Sequence, residues 1–222
     1  MYNDVIKLME ERHSVRKYTH RRIDDNIRQT LQECADECNK ASLLNIQLCF
    51  DEPKAFDTPI SHYGSFSNVN NYIALVGKKT KDIYEKCGYY GERLVLKAQE
   101  LGLNTCWVAL TYNKKKVGCI VEKDESLIAV IALGYGAEQG KPHKSKSIEK
   151  VVHADENSEW FTRGAKAALL APTAVNQQKF FLEKRGNTVK ATAELGFYTK
   201  LDLGIVKYHF EIAAGKENFV WK

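Results

Sequence analysis

Apolar and polar positions along the chain switch repeatedly between helical and strand-like spacing. In five segments the apolar residues recur every three to four positions, which is the period of a helix with one buried face. Asp24 or Asp25 is a suitable start for the second of these helices, and Gly102 is a typical stop after the third. The predicted helices surround 5–9, 27–38, 89–101, 162–171 and 198–214.

Strands are predicted where apolar residues are contiguous between turn-forming residues. The run 127–133 is apolar throughout and ends at Gly134, which indicates a strand buried on both faces. Because helices and strands alternate, the class is α/β or α+β with a central sheet. The segment 136–150, rich in Gly, Ser and Lys, is the best linker candidate. The predicted strands are 45–50, 72–76, 127–133, 178–183 and 218–221.

Length and composition exclude several classes of protein. The 222 residues suffice for one sizeable core or two small domains. Hydrophobic residues make up 44% and charged residues 27%, which argues against intrinsic disorder. No apolar run approaches the roughly 18 residues of a membrane span, and the amphipathic, acid-containing start at 1–11 is unlike a signal peptide. We therefore expect a cytoplasmic protein with no membrane association.

The cysteines and the charge narrow the chemistry further. The six cysteines lack CxxC spacing and zinc-type clusters with histidine, so reduced, mostly buried thiols and no metal site are expected. The net charge of +5 comes with lysine clusters at 78–81, 114–116 and 141–150. These clusters are either solvated loops or an attraction for anions such as phosphate-bearing cofactors. No nucleic-acid-binding motif is present, so no nucleic-acid partner is expected.

Two stretches of the chain, 41–50 and 172–181, resemble each other without a gap. Each follows an amphipathic helix and leads into a predicted strand. If the match reflects a true repeat, the chain contains two related halves of about 110 residues. The matching pairs are Ser42 and Thr173, Asn45 and Asn176, Gln47 and Gln178, and Phe50 and Phe181.

Basic residues and a hydroxyl alternate in the segment 12–18, directly after the first predicted helix. In an extended chain Arg12, Ser14 and Arg16 point to the same side. Two guanidinium groups and a hydroxyl that converge can bind a phosphate, because arginine offers planar, bidentate donors. The alternative is an ordinary basic surface segment.

Two further segments have features of a ligand site. In 172–178, Pro172 ends a helix, and a hydroxyl and amides follow that can hydrogen-bond a heterocycle. At the end of the buried strand, Gly134 and Tyr135 lie where ligands of α/β sheets often bind. The alternatives are a helix end with turn-forming residues and a simple strand-to-loop turn.

Taken together, these segments resemble the flavin-dependent nitroreductase family. The segment 12–16 is similar to that family's phosphate-binding strand, and 172–178 is similar to its P-[ST]-x-x-N-x-Q flavin loop. The helix and turn at 88–108 and the Ala-Leu-Gly-Tyr-Gly segment at 132–136 also resemble their counterparts. The resemblance implies an α+β, nitroreductase-like fold with a central mixed or antiparallel sheet flanked by helices.

One departure from the usual family pattern concerns the flavin loop. In most of the family this loop follows soon after the phosphate segment, but here that place is held by 41–47, which lacks the proline. The better copy is at 172–178, so the chain resembles an internally duplicated branch in which one chain imitates a dimer. The resemblance then implies an N-terminal half, 1–140, with the phosphate site, and a C-terminal half, 141–222, with the partner-type loop. The two would form one integrated unit, as a pseudo-dimeric monomer or a homodimer.

The resemblance implies FMN as the cofactor and NADH or NADPH as the reductant. Because the flavin carries the chemistry, no catalytic side chain is expected. His209, on the last predicted helix, is expected to be a core or interface residue rather than a ligand. The implied site residues are Arg12, His13, Ser14 and Arg16 with Lys144 and Lys146 for the phosphate and ribityl chain, Pro172, Thr173, Ala174 and Asn176 for the ring, and Gly134 and Tyr135 for the pyrimidine end or N5. Gly64 is a weaker candidate for the same cleft.

The expected function is an FMN-dependent oxidoreductase that takes hydride from NAD(P)H. It would pass electrons to nitroaromatic, quinone or similar small-molecule acceptors by a ping-pong mechanism. A flavin-binding or sensing protein with little turnover is the alternative.

Overall fold

A computed structural model describes residues 2–59, 64–156 and 158–222. The five helices predicted from the apolar spacing are all present, with ends shifted by a few residues. The main helices are α1 (Tyr2–Glu11), α2 (Asp25–Ser42), α3 (Ile83–Glu100), α4 (Glu159–Ala168) and α5 (Thr199–Ala214). The strands are β1 (Leu44–Cys49), β2 (Asn71–Lys78), β3 (Asn104–Val108), β4 (Glu125–Gly134), β5 (Val152–Ala154), β6 (Phe180–Arg185), β7 (Thr188–Ala193) and β8 (Val220–Trp221).

The strands form two four-stranded sheets, whereas the sequence predicted one central sheet. The first sheet is antiparallel throughout, in the order β1-β2-β4-β3. The second has the order β5-β6-β7-β8, with an antiparallel central pair and a parallel strand at each edge. The second sheet was missed because β7 buries only Val189 fully, so its apolar signal is weak. The strand predicted at 127–133 is confirmed as buried along its whole length.

The chain divides into two compact units that are interleaved in the sequence. The first unit comprises Arg12–Ile83 and Arg93–Lys141 and contains the first sheet. The second unit comprises the segment up to Glu11, Tyr84–Glu92 and Pro142–Lys222, and it contains the second sheet. The related halves 1–140 and 141–222 remain a prediction.

In the first unit, a buried cluster anchors the segment that carries the predicted phosphate site. Val15 and Tyr18 are buried in the same cluster as Cys106 of β3 and Ala132 of β4. The Tyr18 hydroxyl also donates to the carbonyl of Val15 at 2.7 Å. The residues between these two anchors are therefore held against the sheet.

In the second unit, a histidine and a glutamate are buried side by side. His209 on α5 and Glu92 on α3 are both 0% exposed, and His209 Nε2 lies 2.9 Å from Glu92 Oε1. The other ring nitrogen lies 3.1 Å from the carbonyl oxygen of Ala167. The expectation that His209 is a core residue is confirmed.

The crossing of α3 and α5 depends on two glycines. A Cβ on Gly88 would lie 2.0 Å from the Leu201 carbonyl oxygen, and a Cβ on Gly204 would lie 2.0 Å from that of Glu85. Since real Cβ atoms never come this close to backbone, the helices touch only because both positions lack a side chain.

Gly88→Ala is expected to lower the free energy of unfolding by about 1–3 kcal/mol, because the helices must separate to admit the methyl group. The loss should appear although alanine favours a helix over glycine by ~1 kcal/mol. Urea unfolding measures it, with Gly118→Ala as the control. A Cβ there meets only the flexible Glu52 side chain, at 3.1 Å. Equal midpoints for the two variants would contradict the close crossing.

Among the helices of the described residues, none has the length and apolar content needed to cross a membrane. All six cysteines are thiols; five are buried and Cys119 is half-buried, as the sequence predicted.

Candidate functional site

The segment 12–19 runs extended along the first unit and is hydrogen-bonded on both sides. The Val15 amide donates to the carbonyl of Thr105 in β3 at 3.0 Å. On the other side, the Ala137 amide donates to the carbonyl of Lys17 at 2.8 Å. These backbone contacts hold the segment in the conformation that its alternating residue pattern predicted.

Three of the predicted side chains act on the thiol of Cys106. Ser14 forms a hydrogen bond with this thiol, and the charges of Arg16 and Arg12 both act on it. Burial raises the pKa of Cys106, and the two arginines and the serine oppose that rise. Arg12 is 3% exposed, whereas Arg16 is exposed. Arg12, Ser14 and Arg16 are therefore all near enough to Cys106 to affect the pKa of its thiol.

A cavity of about 470 Å³ opens beside Arg16. Its volume is within the roughly 300–1,000 Å³ of small-molecule sites. Gly64 and Thr111 both line the cavity, and a Cβ on Gly64 would lie 2.7 Å from the Thr111 hydroxyl. A residue larger than glycine at position 64 would therefore collide with Thr111. The lining residues are Arg16, Lys17, Gly64, Ser65, Thr111 and Glu138.

Two predicted residues of the first unit have buried polar atoms that lack a partner within the described part of the chain. These atoms are the hydroxyl of Tyr135 and Nε2 of His13. The other ring nitrogen of His13 lies 3.2 Å from the Gln139 carbonyl oxygen, and the Arg21 guanidinium lies 3.9 Å from the centre of the Tyr135 ring. A buried polar atom without a partner is costly, and a polar ligand can satisfy it. These atoms fit a cofactor rich in hydrogen-bonding groups.

The loop 172–178 lies in the second unit and has a strained backbone. Ala174–Asn176 form a short 3-10 turn between α4 and β6. Val175, Asn176 and Gln178 have φ values of 48°, 55° and 47°, in the left-handed region, where the β-branched Val175 is the most strained of the three. Such conformations persist only where surrounding contacts hold them, and they concentrate at functional sites.

One set of contacts joins this loop to the predicted basic residues. The side-chain amides of Asn176 and Gln178 both donate to the Lys144 carbonyl, at 3.0 and 2.9 Å. The Lys146 ammonium donates to the Gln178 carbonyl at 2.8 Å, and the Lys146 amide donates to Gln178 Oε1 at 2.7 Å. Lys144 and Lys146 thus lie against the loop and support it. A phosphate contact for either lysine remains a prediction.

Two residues important for the loop were not assigned from the sequence. Gln178 is 2% exposed, and only its place at the end of the P-[ST]-x-x-N-x-Q pattern could have indicated it. Asp202 on α5 accepts hydrogen bonds from the Ala174 amide at 3.0 and 3.1 Å and from Gln177 Nε2 at 2.7 Å. No sequence motif marked Asp202, because it lies 28 residues from its backbone partner.

The matching segment at 41–47 has a different local structure. Ser42 ends α2 and donates to the Cys38 carbonyl at 2.6 Å, and β1 begins two residues later. Asn45 lies within β1 and donates to Glu125, whereas Asn176 lies in the 3-10 turn. The internal repeat remains a prediction.

The predicted site residues therefore form two groups, each assembled within its own unit. The described residues contain no cluster of three or more His, Cys, Asp or Glu side chains that could hold a metal ion. The first unit contains Arg12, His13, Ser14, Arg16, Gly134 and Tyr135; the second contains Lys144, Lys146, Pro172, Thr173, Ala174 and Asn176.

Comparison with solved structures places this architecture among nitroreductase-like α+β proteins. A Thermotoga maritima protein described as a "putative nitroreductase" superposes with a TM-score of 0.69 at 20% identity, covering 96% of this chain and 84% of its own. An FMN-dependent nitroreductase from Clostridium difficile gives a TM-score of 0.54 at 18% identity, covering 68% and 99%. A Desulfovibrio desulfuricans protein, described as a "putative nitroreductase" in complex with FMN, gives 0.51 at 15% identity, covering 66% and 94%.

A sequence model of the family described as "Putative TM nitroreductase" matches residues 4–214. The match covers most of the chain, which therefore belongs to this family. Comparison with curated proteins gave no significant match.

Proposed function

We propose that this protein is an oxidoreductase that binds FMN, takes hydride from NADH or NADPH and reduces a nitroaromatic, a quinone or a similar small acceptor by a ping-pong mechanism. The observation that carries the proposal is that Arg12, Ser14 and Arg16 all act on the Cys106 thiol, and that Arg16 also lines a cavity of about 470 Å³. Three solved structures support it by description: one is FMN-dependent, one contains FMN, and one from Bacteroides thetaiotaomicron is described as a "Putative NADH dehydrogenase/NAD(P)H nitroreductase".

The Arg12 cluster suits a phosphate group for an electrostatic reason. Guanidinium groups hydrogen-bond phosphate oxygens in pairs, and the Ser14 hydroxyl supplies one more donor. The Cys106 thiol beneath them has its pKa raised by burial, so it stays neutral and does not compete for the positive charge. His13 and Tyr135 add buried polar atoms to the same unit.

In this proposal the loop 172–178 provides the surface for the flavin ring, through Pro172, Thr173, Ala174 and Asn176. When bound, FMN supplies the redox chemistry, and the chain binds and orients it. Hydrogen bonds keep the loop rigid, so little ordering is needed on binding.

The proposal includes two related halves within one chain, which acts as a pseudo-dimeric monomer or a homodimer.

The test is the visible absorbance spectrum of the purified protein after incubation with FMN and gel filtration, followed by anaerobic addition of NADH or NADPH. Co-eluting flavin whose absorbance is bleached by the nicotinamide supports the proposal, provided that free FMN alone is not bleached at the same rate. Bound flavin that neither nicotinamide reduces would instead identify a flavin-binding protein without turnover. A chain that elutes without flavin would refute the proposal.

A further inference from the structure

The carboxylate of Asp202 is the main tertiary contact of the strained loop on its α5 side. The Ala174 amide lies within hydrogen-bond distance of both of its oxygens, and Gln177 Nε2 donates to Oδ2. The same Gln177 amide group donates to the Phe197 carbonyl at 2.6 Å. Two donors from one loop therefore converge on a carboxylate that is 4% exposed.

Asp202 is itself held in place by its helix. It lies in the first turn of α5, and its own amide donates to the Tyr198 carbonyl at 2.9 Å. A negative charge is favourable in the first turn of a helix. The oxygens are thus presented from a helix to a loop whose backbone is left-handed at Val175 and Asn176, between the two residues that donate to Asp202.

We propose that Asp202 is a positioning residue that keeps the loop 172–178 in its flavin-binding conformation, and that protonation of Asp202 loosens the loop and weakens flavin binding. This inference rests on the function proposed above.

The ionisation of Asp202 gives the proposal its pH range. Burial raises its pKa to about 6, and the hydrogen bonds from Gln177 and Ala174 limit the rise. Above this pH both oxygens accept hydrogen bonds. Below it, one oxygen carries a proton and becomes a donor, so it no longer accepts from a loop amide.

The raised pKa means that the ionised form of Asp202 does not favour folding. A carboxyl whose pKa is higher in the folded than in the unfolded chain favours folding below its unfolded pKa, and this contribution is lost as the pH rises through about 6. Ionisation of Asp202 therefore lowers the free energy of unfolding at neutral pH. Its benefit is local, in the loop that it holds.

Other charged groups near these segments are engaged elsewhere or exposed. Lys179 donates to the Leu195 carbonyl, and Glu85 of α3 pairs with Lys207. Glu194 and, on α5 itself, Lys200 are exposed. The pKa of Asp202 is set by burial and by its hydrogen bonds from the uncharged Gln177 and Ala174. The loss of these hydrogen bonds at low pH therefore depends on the protonation of Asp202.

The test compares Asp202→Asn with the control Glu194→Gln, which removes the same charge from an exposed position near the loop. The readouts are hydrogen exchange at the Ala174 amide in the flavin-free protein, and FMN affinity between pH 5 and 8. The asparagine retains one acceptor but turns an NH₂ group toward Gln177. In wild type and control, we expect Ala174 exchange, corrected for its intrinsic pH dependence, to become roughly tenfold faster below pH 6. FMN affinity should fall over the same range.

Asp202→Asn should show the faster exchange and weaker binding at every pH, with no step near pH 6. Gln177→Ala, which removes one donor and leaves the carboxylate, should give a smaller change and keeps the test valid if the asparagine variant fails to fold. Equal Ala174 exchange in wild type and Asp202→Asn at pH 8 would overturn the inference, even if FMN binds. Faster exchange in a protein that binds no FMN would uphold the loop contact and overturn the proposed function and the flavin part of the inference.

Discussion

Arg12→Ala combined with Arg16→Ala is expected to weaken FMN binding roughly a hundredfold to ten-thousandfold. Each lost guanidinium removes a charged hydrogen-bond interaction of about 1.5–3 kcal/mol, and both residues act at the same point of the first unit. Quenching of flavin fluorescence on titration with protein measures the affinity. The loss should shrink in high salt, because exposed Arg16 is more strongly screened than buried Arg12.

The matched control is Arg22→Ala combined with Arg185→Ala. It removes the same two charges, but these arginines are exposed and pair with their neighbours Asp25 and Glu183. Because Arg12 is buried, replacing it could also destabilise the fold. The single variant Arg16→Ala changes only an exposed residue, so weaker FMN binding in that variant reflects a loss of binding and not of folding. If the Arg12 and Arg16 double variant binds FMN as tightly as the control, the phosphate assignment is wrong.

His209→Ala is expected to lower the free energy of unfolding by about 3–5 kcal/mol, the cost of removing one partner from a buried pair. The Glu92 carboxylate loses a ring nitrogen 2.9 Å away, in a place where both residues are 0% exposed. The cavity left by the imidazole adds to this cost. Urea unfolding followed by circular dichroism measures the change.

The control for this prediction is Lys7→Ala. Lys7 and Glu11 form an ion pair on α1, with side chains 72% and 55% exposed. Exposed pairs contribute about 0–1 kcal/mol, so the midpoint should barely move. A His209→Ala midpoint equal to that of Lys7→Ala would show that the buried pair does not stabilise the second unit.

The sequence predicted the helices and strands best where one face or both faces are fully buried. The strand at 127–133 was recognised as a continuous apolar run because both of its faces are buried, and α5 was recognised from its recurring apolar residues. The strand β7 was missed because Thr, Lys and Ala at its exposed positions leave almost no period. The division into two sheets was missed for a related reason, since the pairing of β6 with β7 and of β7 with β8 depends on contacts that no local pattern encodes.

The sequence by itself determined which residues could form a phosphate site, because the alternation of Arg12, Ser14 and Arg16 needs only an extended backbone to bring them to one side. It also indicated the polar loop at 172–178, through Pro172 and the amides that follow. Only the tertiary structure decided that both arginines act on the Cys106 thiol, and that Asp202 accepts hydrogen bonds from the loop. The physical reason is distance along the chain. Alternation is a local property of the backbone, whereas a buried carboxylate that meets a strained loop 28 residues away exists only when α5 is packed.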